Sequence, residues 1–193
     1  MQEEILTHPL SETKQVTGSR RLVREKALQV LMAQEICEME WEKLFRFIFF
    51  RNFNFGDEEE KHEKVLTQNE INELESDTPI VWKQDEIEFG RTLIERVIIR
   101  RDSLNIMIQD FTANWELDRI AFIDKILMQI AIVELTEFSE IPTKVSINEA
   151  IDIAKKYSTP KSGTFINGVL DSIFARLSQA GQINKTGRGT IDT

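Results

Sequence analysis

Between residues 115 and 138, apolar side chains occupy almost the whole circumference of a helix. Ile120, Ile123, Leu127, Ile130 and Ala131 cover one side, and Phe122, Ile126, Met128, Ile132 and Val133 cover others. Only Asp118, Lys125 and Gln129 form a narrow polar strip. A helix of this kind is stable in water only when neighbouring elements enclose it. The chain must therefore supply several partners packed around one centre. Glu134 falls inside the apolar stripe, where a carboxylate is expected to meet backbone donors or a buried base.

The partners are helical. From Ser19, a plausible N-cap, Val23, Ala27, Val30, Leu31 and Cys37 share one face at ~100° per residue. Arg20 and Arg24 lie at the edge of that stripe, and Arg21 lies further toward solvent. A second helix over residues 40–54 is dense in phenylalanine, which at this spacing is expected in the core rather than as a base-stacking platform. A third carries Phe89, Leu93, Val97, Leu104, Ile108 and Phe111 over residues 85–111. Ser146-Ile-Asn-Glu149 reads as a capping box, with Val145 and Ala150 at the staple positions, opening a helix that ends near Tyr157. A last helix spans 164–177. Six or seven helices and no strand make the chain all-α. The expected division is a tail at 1–18, a helical subdomain at 19–80 that includes an acidic linker and a short helix near 65–74, a second at 81–178, and a tail at 179–193 with no core to join.

Charge is unevenly spread. Lys14, Arg20, Arg21, Arg24 and Lys26 against Glu25 give residues 14–26 a net +4. The whole chain carries −9, so the remainder holds −13, with −6 in residues 56–76 alone. One anion-seeking surface on a body that repels anions elsewhere fits this pattern, as does a solvated basic turn followed by a solvated linker. The single cysteine, Cys37, excludes a disulfide framework and suits a reducing cytoplasm. Residues 1–14 lack the apolar run of a secretory leader, and no stretch approaches the ~18 apolar residues of a membrane span.

Catalytic and metal-binding patterns are not found. His8 and His62 lie in loose-looking segments, and no HExxH, GxSxG, Walker or GxGxxG arrangement occurs. No enzyme, cofactor or metal is expected. One local feature remains: the loop 158–163 carries Lys161, follows Lys155 and Lys156, and leads into a helix N-terminus. Free amides and the helix dipole there favour a phosphate oxygen. Phe165 in the first turn serves either the core or an unstacked base.

The string IPTKVSINEAIDIAKKYSTPKSGTFINGVLD (residues 141–171) resembles the signature of the NusB family of bacterial transcription antitermination factors. SRRLVREKALQVL at 19–31 resembles that family's arginine-rich start, and LMQIAIVEL at 127–135 its central helix. The resemblance covers about residues 19–55 and 81–177. It implies two small helical subdomains packed across each other. It further implies binding to the boxA element of nascent ribosomal RNA transcripts together with NusE, a basic small-subunit ribosomal protein, in a complex that lets RNA polymerase read through terminators.

By position, the resemblance makes Arg20, Arg21 and Arg24 RNA contacts, with Lys161, Thr164 and Phe165 at the second loop. Thr164 departs from the basic residue many members carry, and Met32 stands where an aromatic is common. Asp118 and Asp124 are implied contacts for NusE. A NusB-like domain also begins certain ribosomal RNA cytosine methyltransferases, but no glycine loop for their cofactor is present here. The remaining alternative is a protein-interaction module or homo-oligomer without autonomous RNA binding.

Overall fold

The computed structural model describes residues 16–37, 39–50, 80–112 and 119–190. Among them are six α-helices: α1 (Arg20–Ile36), α2 (Trp41–Phe50), α3 (Gln84–Phe111), α4 (Phe122–Glu137), α5 (Thr143–Tyr157) and α6 (Ser162–Gln179). The expected short helix near 65–74 and the acidic run at 56–76 lie outside the described residues.

Helix α4 is the centre that its sequence demands. Ile126, Leu127, Met128, Ile132 and Val133 are wholly enclosed, because α1, α3, α5 and α6 all pack on it. Its polar strip is satisfied sideways. Gln129 Nε2 donates to Asn105 Oδ1 at 2.7 Å, and Lys125 lies 3.9 Å from Glu35. Helix α1 starts where its cap predicts, with Ser19 Oγ accepting from the Leu22 amide at 3.2 Å. It buries Val23, Ala27, Val30 and Leu31 against α2, α3 and α4. Phe45 and Phe49 of α2 are core residues, as their spacing indicates. Their rings stack at 4.1 Å, and Trp82 Nε1 ties the end of α2 to the approach of α3 by donating to the Phe49 carbonyl at 2.9 Å. The buried residues form one cluster that runs across the expected boundary at 80/81.

Three features differ from the sequence reading. First, a two-residue parallel ladder pairs β1 (Val16–Thr17) with β2 (Ile80–Val81), so the chain before Ser19 is held at its end and one small strand pair exists. Second, Ser146 is not an N-cap. Pro142 occupies that position, and the Val145 and Ser146 amides close the first turn on its carbonyl at 3.0 Å and 3.2 Å. A proline with its fixed φ starts the helix one turn earlier than the Ser-x-x-Glu box. Ser146 therefore sits inside α5, 2% exposed, with its hydroxyl unpaired. Val145 is exposed rather than stapled to Ala150.

Third, residues 180–190 are no loose tail. Gly181 adopts φ +66° and turns the chain after α6, with the Gln182 amide bonded to the Leu177 carbonyl at 2.9 Å. Beyond it Ile183 packs on the core. Lys185 Nζ then donates to the carbonyls of Glu134 and Phe138 at 3.0 Å and 2.9 Å, capping the C-terminus of α4.

The central helix is joined to α1 by a buried ion pair. Arg24 Nε and Nη2 meet the two Glu134 oxygens at 2.6 Å and 2.9 Å, with side chains 5% and 1% exposed. Glu134 thus has the buried base expected for it.

Two stability outcomes follow from these placements. Ser146→Ala should leave stability unchanged or slightly raised, since it removes an unpaired buried hydroxyl and installs the best helix former; a loss of ~1 kcal/mol in denaturant unfolding would restore the capping role. Glu134→Ala should cost about 3–5 kcal/mol by stranding the buried guanidinium, and a loss below ~1 kcal/mol would show that Arg24 finds solvent or another partner.

Candidate nucleic-acid interface

The first turns of α1 carry three arginines with different surroundings. Arg24 is beneath the surface, clamped by Glu134, with Glu149 Oε2 3.7 Å from its Nη1. This placement corrects the expectation that it contacts RNA: both edges of its fork are committed within the fold. Arg20, one turn earlier, is half-exposed at the surface. Its guanidinium lies 4.4 Å from the Phe89 ring centroid and 3.6 Å from Glu140, while Arg24 lies 5.4 Å from the same ring. Phe89 thus stacks the two arginines, a cation–π arrangement that orients the outer one. Arg21 points around the helix to α5, where Nη2 donates to Asp152 Oδ2 at 2.8 Å and Nε lies 3.6 Å from Glu149.

The surface continues along α5. Lys155 lies 3.5 Å from Asp152, and Lys156 Nζ donates to Glu25 Oε2 of α1 at 2.9 Å, with the Tyr157 hydroxyl donating to the same oxygen at 2.6 Å. The hydrogen bond from Arg21 holds the Asp152 carboxyl below its usual pKa. Burial acts to raise that of Glu25, but Tyr157, Lys156 and Arg21 together hold it low. The stabilisation from these two carboxylates is therefore full above the ordinary carboxylate range and is lost as pH falls through that range toward the depressed values.

The second loop abuts the same face. Residue 163 packs so closely on Lys155 that an added Cβ would come 3.3 Å from its Cγ. Ser162 Oγ accepts from the Thr159 amide and bonds Ser158, which fixes the turn before α6. Lys161 and Thr164 are exposed there. Phe165 is half-buried and packed on the core, so its ring is held by the fold rather than offered whole to solvent. Lys155 and Lys156 of α5 and Arg21 and Arg20 of α1 thus carry the exposed or half-exposed cations of this side, each paired with one of Glu25, Glu149, Asp152 and Glu140, and the loop that bears Lys161 packs on Lys155 through Gly163. The acidic members had no separate signal in the sequence. Glu149 was visible only as half of a capping box, and the others are ordinary surface acids until the helices are packed.

Of the two acids expected to face NusE, only Asp124 lies among the described residues. Asp118 lies outside the described residues. Asp124 is 4% exposed in the first turn of α4, with one oxygen unpaired, and so is no surface contact; this corrects its assignment. No described helix is long and apolar enough to cross a membrane.

A family model described as the NusB family matches residues 21–175. Over 174 residues the chain is 35% identical to the transcription antitermination protein NusB of Chloroherpeton thalassium, covering 90% of this chain and 70% of that protein. It is 47% identical over 104 residues to the protein of the same name from Salinibacter ruber, covering 54% of this chain and 65% of that one. Among solved structures, T. maritima NusB superposes with a TM-score of 0.62 at 24% identity, over 83% of this chain and 93% of that one. NusB in a complex of antitermination factors NusB and NusE with dsRNA gives 0.60 at 18% identity, over 81% and 96%. At these identities the structures show a shared fold, and the match to residues 21–175 shows its lineage: the chain belongs to the NusB family.

Proposed function

We propose that the protein is a transcription antitermination factor of the cytoplasm that binds boxA RNA of nascent ribosomal RNA transcripts together with NusE, within the complex that lets RNA polymerase read through terminators. The observation that carries this reading is the group of cations at Arg20 and Arg21 of α1 and Lys155 and Lys156 of α5, beside the loop that bears Lys161, set on a body of opposite net charge. The names of the relatives support it, as does a neighbour of the same fold that was solved with NusE and dsRNA. Arg20 and Arg21 are the phosphate contacts in this reading, Lys161 and Thr164 extend them, and Arg24 positions α1 from below. Phe165 offers at most the edge of its ring to an unstacked base.

The interleaved acids set the energetics. A phosphate approaching Arg21 must displace Asp152, and one approaching Arg20 must compete with Glu140. Net binding of bare RNA is therefore weak, because counterion release scales with the phosphates neutralised while the body repels the rest of the chain. A basic partner reduces that repulsion and adds its own cations, so RNA and NusE should bind with positive coupling. Such coupling is reciprocal.

The test is a titration of boxA RNA at several salt concentrations, with and without saturating NusE, and with NusE alone as control. Coupling of about 1–3 kcal/mol is expected. The double variant Arg20→Ala/Arg21→Ala should lower the log–log salt slope by about 0.7 per lost contact with a single strand and retain helicity. An unchanged slope with intact helicity removes the arginine face from the interface. Equal RNA binding by the mixture and by the independent proteins rules out cooperation and favours a protein-interaction module.

A further inference from the structure

We propose that the C-terminal strap, residues 182–190, is a built part of the RNA surface, and that Arg188 supplies a further phosphate contact beside Arg20. The inference rests on the RNA-binding reading and extends its site to a segment of low apolar content.

Three observations place the strap at this surface. The first is how firmly a polar segment is held. Beyond the Lys185 cap on α4, the Thr186 amide donates to the Ser139 carbonyl at 3.0 Å, and the two hydroxyls of Thr186 and Ser139 lie 3.1 Å apart. Gly189 is buried in the short 3-10 turn Gly187–Thr190. A Cβ there would overlap the Ser139 carbonyl oxygen and lie 3.3 Å from the Glu140 carbonyl carbon. Only glycine allows this approach.

The second observation is where the contact falls. Ser139 and Glu140 form the turn between α4 and α5, and Glu140 is the carboxylate that faces Arg20 at 3.6 Å. The strap thus closes on the backbone of the residue whose side chain holds the outer arginine. Lys185 bears on the same acids: burial lowers its pKa, and Glu134 and Glu140 oppose that shift by favouring its charged form. These are also the acids that pair with Arg24 and Arg20.

The third is what the strap leaves outside. Arg188 neighbours the buried Gly189 and is exposed, with no carboxylate partner among the described residues. Unlike Arg21, it need displace no acid to meet a phosphate. Docking therefore puts one unencumbered guanidinium on a strap that closes on the turn whose Glu140 faces Arg20, on a backbone whose position is fixed.

The experiment is the salt dependence of boxA RNA binding by the full chain, with NusE present, for wild type and for Arg188→Ala, Arg188→Lys, Gly189→Val, Arg20→Ala and, as a charge control, Arg176→Ala. Arg176 lies on α6, paired with Asp110 at 2.9 Å. Arg188→Ala and Gly189→Val should each lower the log–log slope by about 0.7 with helicity unchanged. Arg188→Lys should keep the wild-type slope, since a point charge suffices, and Arg176→Ala should also keep it. Gly189→Val separates a docked contact from a loose one, because it retains the arginine and removes its fixed position. A wild-type slope for Arg188→Ala, beside a reduced one for Arg20→Ala, overturns the inference and leaves the RNA reading standing. A wild-type slope for Gly189→Val, or a reduced one for Arg176→Ala, also overturns it. Absence of RNA binding by the wild type with NusE overturns both.

Discussion

The buried pair between Arg24 and Glu134 fixes the arginine helix on the central helix. Breaking it leaves a charge where water cannot reach, whereas an apolar pair of similar volume in its place would often cost nothing. Its structural consequence is orientation. With Arg24 clamped to α4 and stacked with Arg20 over Phe89, α1 cannot rotate about its axis without stranding a charge. Arg20 is therefore held at the surface above the α4–α5 turn, and Arg21 is held toward α5. One helix turn thus divides its cations between anchoring and presentation.

Presentation is tempered by the acids that surround it. Glu25, Glu140, Glu149 and Asp152 each lie within ion-pair reach of a cation of this group. Exposed pairs of this kind contribute little to stability. Their larger effect is on binding, since an incoming phosphate exchanges one anion for another rather than filling an empty site. Under the proposed RNA-binding role, a surface built in this way would discriminate against stray RNA. Under the same reading it would gain affinity when a partner supplies further positive charge, as expected of a member of an assembly.

Much of the fold was legible because burial is periodic. The all-round apolar pattern of 115–138 demanded an enclosing bundle, and Ser19 and the stripe after it placed α1 to within a residue. The Glu134 anomaly was visible as a carboxylate in an apolar stripe. What the pattern could not show is tertiary. Arg24 sits on the wheel beside Arg20, and only packing of α1 on α4 reveals that one is buried and the other is not. Ser146 satisfies a local capping rule, yet Pro142 one turn earlier starts the helix and carries the serine inward. The strap has no periodicity, and its fit depends on one glycine against one carbonyl, which leaves no trace in hydropathy.

The division of labour within α1 is the claim on which the rest depends, and exchanging the ion pair for an apolar one tests it directly. The measurement is the log–log salt slope of boxA RNA binding, with NusE, for the double variant Arg24→Met/Glu134→Met beside wild type. Both helicity and the slope should match wild type, because the buried pair touches no phosphate and methionines fill its volume. A slope lower by about 0.7 in a fully folded double variant would mean that Arg24 leaves Glu134 to contact RNA, and the account of α1 as one anchor with two presented arginines would be wrong.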